Sequence, residues 1–91
     1  MKVMTYNIQH GANCLVSDEI NLDGVVKVLK KYDPAIVGLN EVRGEGPRED
    51  YTAQADYIAE KAGYPYYFYG PAIMVEDENP YGNAILSKYP I

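Results

Sequence analysis

Leu22, Val25, Val26, Leu29 and Tyr32 recur at the i, i+3, i+4, i+7 spacing of a helix that buries one stripe. Asn21 stands where it can cap the first turn, Asp23 follows inside it, Lys27, Lys30 and Lys31 lie toward the end, and Asp33-Pro34 stops the run. A strand-like segment flanks the helix on each side. Lys2 to Ile8 is rich in β-branched and aromatic residues, and Ala35-Ile36-Val37-Gly38-Leu39 is apolar at successive positions, as in a strand buried on both faces. Strand, helix and buried strand form a β-α-β unit, which makes the two strands parallel and the fold α/β.

Arg43 to Asp50, with Gly44, Gly46 and Pro47 among charges, reads as a loop. A second helix is expected from about Tyr51 to Ala62, with Asp50 as its N-cap, Ala55, Ile58, Ala59 and Ala62 as its stripe, and Gly63 as a left-handed cap. Three further strands are expected at Tyr64 to Tyr69, Ala72 to Glu76 and Asn83 to Lys88, separated by Gly70-Pro71 and by the Asp77 to Gly82 loop. The sum is a mixed β-sheet with two helices on one face. The other face is apolar, because Ala72-Ile73-Met74-Val75 and Ala84-Ile85-Leu86 ask for burial on both sides and two helices cover only one. Something outside this segment is expected to cover the rest.

The 91 residues are enough for one modest core, so residues 1–91 are read as a single domain. Thirteen acidic residues against eight basic ones, net charge −5, argue against general polyanion binding, and a phosphate-bearing substrate would need a bound cation to reverse the local field. The single cysteine, Cys14, excludes an internal disulfide framework and a Cys-rich zinc site, and reads as a packed thiol. Met1 to Tyr6 lacks the apolar stretch of a secretory signal and no window approaches the roughly 18 apolar residues of a membrane span, so a cytoplasmic location is expected. Of the ten tyrosines, those at 64, 66, 67 and 69 are expected to pack with their hydroxyls at the rim.

Parallel strands place their carboxyl ends on one edge, where ligand sites of such sheets lie. Asn7 and Glu41 both fall there. A carboxylate beside a carboxamide suits a hard cation such as Mg²⁺, which is usually held by one or two carboxylates plus water and phosphate. The same pair also reads as a solvated strand-end acid and an Asx-turn former. His10, two residues beyond the strand end, is a phosphate contact or an ordinary loop histidine. Asn83 is a turn residue or an amide facing the ligand. Glu76-Asp77-Glu78 lacks the alternating ligands and central glycine of a calcium loop and reads as a solvated hairpin tip.

The segments Met4-Thr5-Tyr6-Asn7-Ile8-Gln9-His10-Gly11, Ala35-Ile36-Val37-Gly38-Leu39-Asn40-Glu41-Val42 and Tyr81-Gly82-Asn83-Ala84-Ile85-Leu86-Ser87-Lys88-Tyr89-Pro90-Ile91, in that order and at that spacing, resemble the successive signatures of the endonuclease/exonuclease/phosphatase superfamily of metal-dependent phosphoesterases. The resemblance implies the N-terminal part of a four-layered α/β sandwich whose second sheet packs on the open face. It implies Glu41 as a metal ligand and Asn7 as a metal-site and catalytic residue that orients the phosphate, with Mg²⁺ as cofactor and Mn²⁺ as the alternative; His10 stands beside them as a candidate catalytic phosphate contact and Asn83 as a candidate substrate contact. Gln9 stands where many members carry an acid and Asn40 where most carry glutamine. The family's Asp-x-Asn pair near the attacking water and its terminal Ser-Asp-His normally come later than the segments matched here. The function expected is therefore metal-dependent hydrolysis of a phosphoester, this chain carrying only the first metal-site motifs, with a completing segment or a second copy on the apolar face. The alternative is a small noncatalytic domain that self-associates or binds a partner through that face.

Overall fold

The computed structural model describes residues 1–13 and 17–91, and the expectation for Cys14 lies outside the described residues. Strand β1 (Val3–Asn7) runs into a tight turn at Gln9–Gly11 and a short antiparallel pair, β2 (Ala12–Asn13) with β3 (Ser17–Ile20). Helix α1 (Leu22–Tyr32), strand β4 (Ile36–Arg43), helix α2 (Gln54–Ala62) and strands β5 (Tyr66–Val75) and β6 (Asn79–Ser87) complete the order. The main sheet is ordered β1-β4-β6-β5, with β1 and β4 parallel and the other pairings antiparallel. This is the mixed sheet with a β-α-β start expected from the sequence.

Helix α1 forms where its stripe predicts. Asn21 Oδ1 accepts from the Gly24 amide at 3.2 Å, and Asp33 adopts a left-handed conformation (φ 51°) whose N–H closes on Leu29 O. Val25 and Leu29 from α1 meet Ala55, Ile58 and Ala59 from α2 over Val37, Leu39 and Leu86 of the sheet, so both helices lie on one face and make a single core with it. The opposite face carries Val3, Ile85 and Phe68, which are 63%, 46% and 65% exposed. The open apolar face is therefore real, although Ala72, Ile73 and Met74, on the edge strand beyond the irregularity at Pro71, are all exposed, and Met74 lies in the part of the β5–β6 hairpin that extends past the pairing with β4.

Two expectations are corrected. Gly70-Pro71 does not separate two strands. β5 is an edge strand, so Pro71 removes no needed ladder donor, and the chain absorbs it as an irregularity between Pro71 and Ile73. Gly82 lies opposite, and a Cβ there would come within 2.1 Å of Gly70 O, so only glycine permits that approach. Asn83 accordingly sits inside β6 rather than in a turn, while Glu76-Asp77-Glu78 does form the exposed hairpin tip. Asp50 does not cap α2, which starts at Gln54 with Ala53 as N-cap and no side-chain cap bond. Its carboxylate is already taken, by Arg48 at 2.8 Å and Arg43 at 3.3 Å.

Candidate functional site

Leu39 and Val42 are both fully buried although three residues apart, which a strictly alternating strand forbids. The register with β6 slips between them: Leu39 pairs with Ala84 and Val42 with Gly82, leaving one extra residue in β4. That bulge falls at Asn40-Glu41, with Glu41 at φ 58°. Gln9 (φ 49°) and His10 (φ 46°) are also left-handed. For residues other than glycine such conformations cost of order 1–3 kcal/mol each and persist only where surrounding structure over-determines them. Three of them fall on the carboxyl edge of β1 and β4.

The bonds that hold this edge are specific. Asn7 and Asn40 are register partners, and the Ile8 amide donates to Asn40 O at 3.1 Å, so the ladder runs to the bulge and Glu41 follows one residue later. Asn7 Oδ1 accepts from the Gln9 amide at 3.0 Å, the Asx-turn bond that starts the left-handed turn. Gln54, in the first turn of α2 and only 1% exposed, joins the two halves: its Nε2 donates to His10 O at 2.9 Å and its Oε1 accepts from the Arg43 amide at 2.9 Å. Tyr81, opposite Arg43 in β6, donates its hydroxyl proton to Glu41 Oε1 at 3.1 Å and lies 3.1 Å from His10 Nδ1.

The flanking loop is pinned as firmly. Arg43 and Arg48 stack their guanidinium groups on Tyr51, 4.5 and 5.1 Å from the ring centroid, and Asn79, itself buried, accepts from the Arg48 amide. Arg43 Nε is buried without a hydrogen-bond partner. Burial and then the Arg43 charge push the His10 pKa down, with Glu41 and Asp50 acting the other way. Burial, then the bond to Glu41, pushes the Tyr81 phenol up to about 12, so it holds its proton at neutral pH.

Asn7, Glu41 and His10 thus come to one edge. Asn83 is exposed on β6, facing Gly70 of β5, and lines a shallow hollow with Phe68 and Ile85 on the open face. A depression of about 420 Å³ adjoins Asn7, between the Gln9–Gly11 turn and the start of α1. Among the described residues no group of three His, Cys, Asp or Glu gathers. The donors present, one carboxylate and one carboxamide, are hard oxygens that fit a largely water-coordinated Mg²⁺ rather than zinc.

Sequence reasoning missed Tyr81, Gln54 and Arg43. Gln54 carried a legible signal, since it falls four residues before Ile58 on the stripe that α2 buries, where a polar side chain needs partners. Tyr81 carried none until the pairing of β6 with β4 placed it against the bulge.

The chain matches the model of the endonuclease/exonuclease/phosphatase family over residues 4–91, and it belongs to that family. It is similar in structure to an endonuclease/exonuclease/phosphatase from Beutenbergia cavernae DSM 12333, with a TM-score of 0.87 at 24% identity, covering 99% of this chain and 26% of that one. It is also similar to an endonuclease/exonuclease/phosphatase family protein from Leptotrichia buccalis C-1013-b, with a TM-score of 0.69 at 14% identity, covering 98% of this chain and 37% of that one. The chain therefore spans about a quarter to a third of the length of these structures. No curated protein matches it in sequence. Among the described residues no helix is long and apolar enough to cross a membrane.

Proposed function

We propose that this chain supplies the first part of the site of a metal-dependent phosphoester hydrolase. Glu41 is the cation ligand, and Asn7 assists it through the lone pair of Oδ1 that the Gln9 amide leaves open. The observation that carries this reading is the bulge that turns Glu41 out of the strand alternation, in a strained conformation, toward the edge that also bears Asn7 and His10. A bound Mg²⁺ or Mn²⁺ would neutralise charge developing on the phosphoryl oxygens. The chain's own residues bind and orient. The Asn7 Nδ2 amide donates to a phosphate oxygen, His10 contacts the same group from the turn, and Asn83 marks where the rest of the substrate would lie on the open side. Family membership and the two structural likenesses support the class of reaction; they do not select the substrate.

Calorimetric titration tests the reading. Mg²⁺ and Mn²⁺ are expected to bind the wild type and to bind Glu41→Gln at least about tenfold more weakly, the loss typical of a missing ligand or its support. A wild type that gives no binding heat with either ion sinks it.

A second reading is favoured by one observation, the exposure of Val3, Phe68 and Ile85 on a contiguous sheet face. We propose that in the 91-residue chain this face pairs with a second copy. Light scattering would show a mass that rises with concentration. A monomer at high concentration counts against the pairing and leaves the hydrolase reading standing.

A further inference from the structure

The Tyr81 hydroxyl stands 3.1 Å from Glu41 Oε1 and 3.1 Å from His10 Nδ1. A phenol has one proton to give, a carboxylate oxygen only accepts, and an imidazole nitrogen donates or accepts according to tautomer. Once the phenol proton goes to Glu41, the contact with His10 is a hydrogen bond only if Nδ1 carries the hydrogen and donates to the phenol oxygen. In the neutral ring Nε2 is then bare. The rest of the geometry holds this arrangement. The two rings meet edge to face with centroids 5.8 Å apart, and the His10 carbonyl is tied to buried Gln54, so the imidazole is gripped from both its backbone and its Nδ1 side. Tyr81 is itself set by its place in β6 opposite Arg43.

We propose that Tyr81 is the positioning residue of this edge: one hydroxyl aligns the Glu41 carboxylate for a divalent cation and fixes His10 as the Nδ1–H tautomer, presenting the Nε2 lone pair outward as an acceptor. The cation half rests on the function proposed above; the tautomer half does not. This assigns neutral His10 a definite chemical face, able to accept a proton from a water, and lets it donate to a phosphate oxygen only as the imidazolium, which carries a hydrogen on both nitrogens. It also gives the tyrosine before Gly82-Asn83 a task distinct from packing, as supporting partners of metal ligands usually have.

His10 is the only histidine in the chain, so its ring nitrogens give unambiguous ¹⁵N NMR signals. The wild type is expected to show the Nδ1–H tautomer. Tyr81→Phe, which keeps the ring and removes only the hydroxyl, is expected to move His10 toward the Nε2–H form that an unconstrained side chain favours. In parallel, Mn²⁺ affinity read by electron paramagnetic resonance is expected to fall about tenfold in Tyr81→Phe. A wild type already in the Nε2–H form, or a tautomer unchanged by Tyr81→Phe, overturns the hold on His10. Mn²⁺ affinity that drops in Glu41→Gln but stays unchanged in Tyr81→Phe overturns the alignment of Glu41. A wild type that binds no Mn²⁺ instead defeats the cation reading of the site, and the tautomer then decides the role of the hydroxyl by itself.

Discussion

The two faces of the main sheet are made by alternate residues of the same strands, yet they live in different environments. On β6, Leu86 is sealed beneath the helices while its neighbour Ile85 is 46% exposed; on β4, Leu39 is sealed while Asn40 next to it is open. The helix-covered face is uniformly apolar and regular. The open face is apolar at Val3, Ile36, Ile85 and Phe68 and gives way to Thr5, Asn7, Asn40 and Asn83 toward the carboxyl edge, where Gln9, His10 and Glu41 are left-handed. Stability thus resides mainly on one side of the sheet, and the proposed site sits where that side ends.

The largest effect expected from this contrast is a paired one. Leu86→Ala should cost about 2–5 kcal/mol in chemical denaturation, through lost burial and a residual cavity, whereas Ile85→Ala one residue away should cost about 0.5 kcal/mol or less at concentrations where the chain is monomeric. An Ile85→Ala cost approaching that of Leu86→Ala would mean that the open face is covered in solution. Next comes the link between the two regions. Gln54→Ala removes both bonds that tie the Gln9–Gly11 turn to the bulged strand and leaves the Arg43 amide and His10 carbonyl short of partners, so a loss of roughly 1–3 kcal/mol is expected, with faster hydrogen exchange at the Arg43 amide. Tyr64→Phe, which deletes a buried hydroxyl bonded to Pro34 O at 2.6 Å, should cost only about 0.5–1.5 kcal/mol by the same measurement.

The smallest effect concerns pH. The His10 pKa is lowered in the folded chain, so the unfolded chain binds its proton first as the solution is acidified. The stability held by neutral His10 is complete above the ordinary histidine pKa and is lost as pH falls below it. Denaturation midpoints of the wild type should therefore drop more between pH 7 and pH 5 than those of His10→Asn. Parallel curves would show that His10 is as free in the folded chain as in the unfolded one.

Much of the helix-covered side was legible from residue order. The stripe of α1, its cap at Asn21, its stop at Asp33-Pro34 and the buried run Ile36 to Leu39 are local patterns that burial against any apolar layer enforces. Boundaries failed where a side chain had two suitors. Asp50 looked like a cap but is held by Arg43 and Arg48, and Gly70-Pro71 looked like a break but is tolerated because β5 lies on the edge. The candidate site was half legible. Asn7 and Glu41 stood out because a β-α-β unit sends both strand ends to one edge. Tyr81 did not, because it acts through partners 40 and 71 residues away across a register slip that no local pattern encodes, and Gln54 was legible only as a polar residue on a buried stripe, its partners lying 11 and 44 residues away.

By itself the sequence determined the parallel strand pair, the helices that cover it and the edge to which both strand ends run, because periodicity and capping are local and burial rewards them whatever the partners. Only the tertiary structure decided which way Glu41 turns and what steadies it. A one-residue bulge reverses the facing of a side chain, and that bulge exists because Leu39 and Val42 both gain by being buried in the same core.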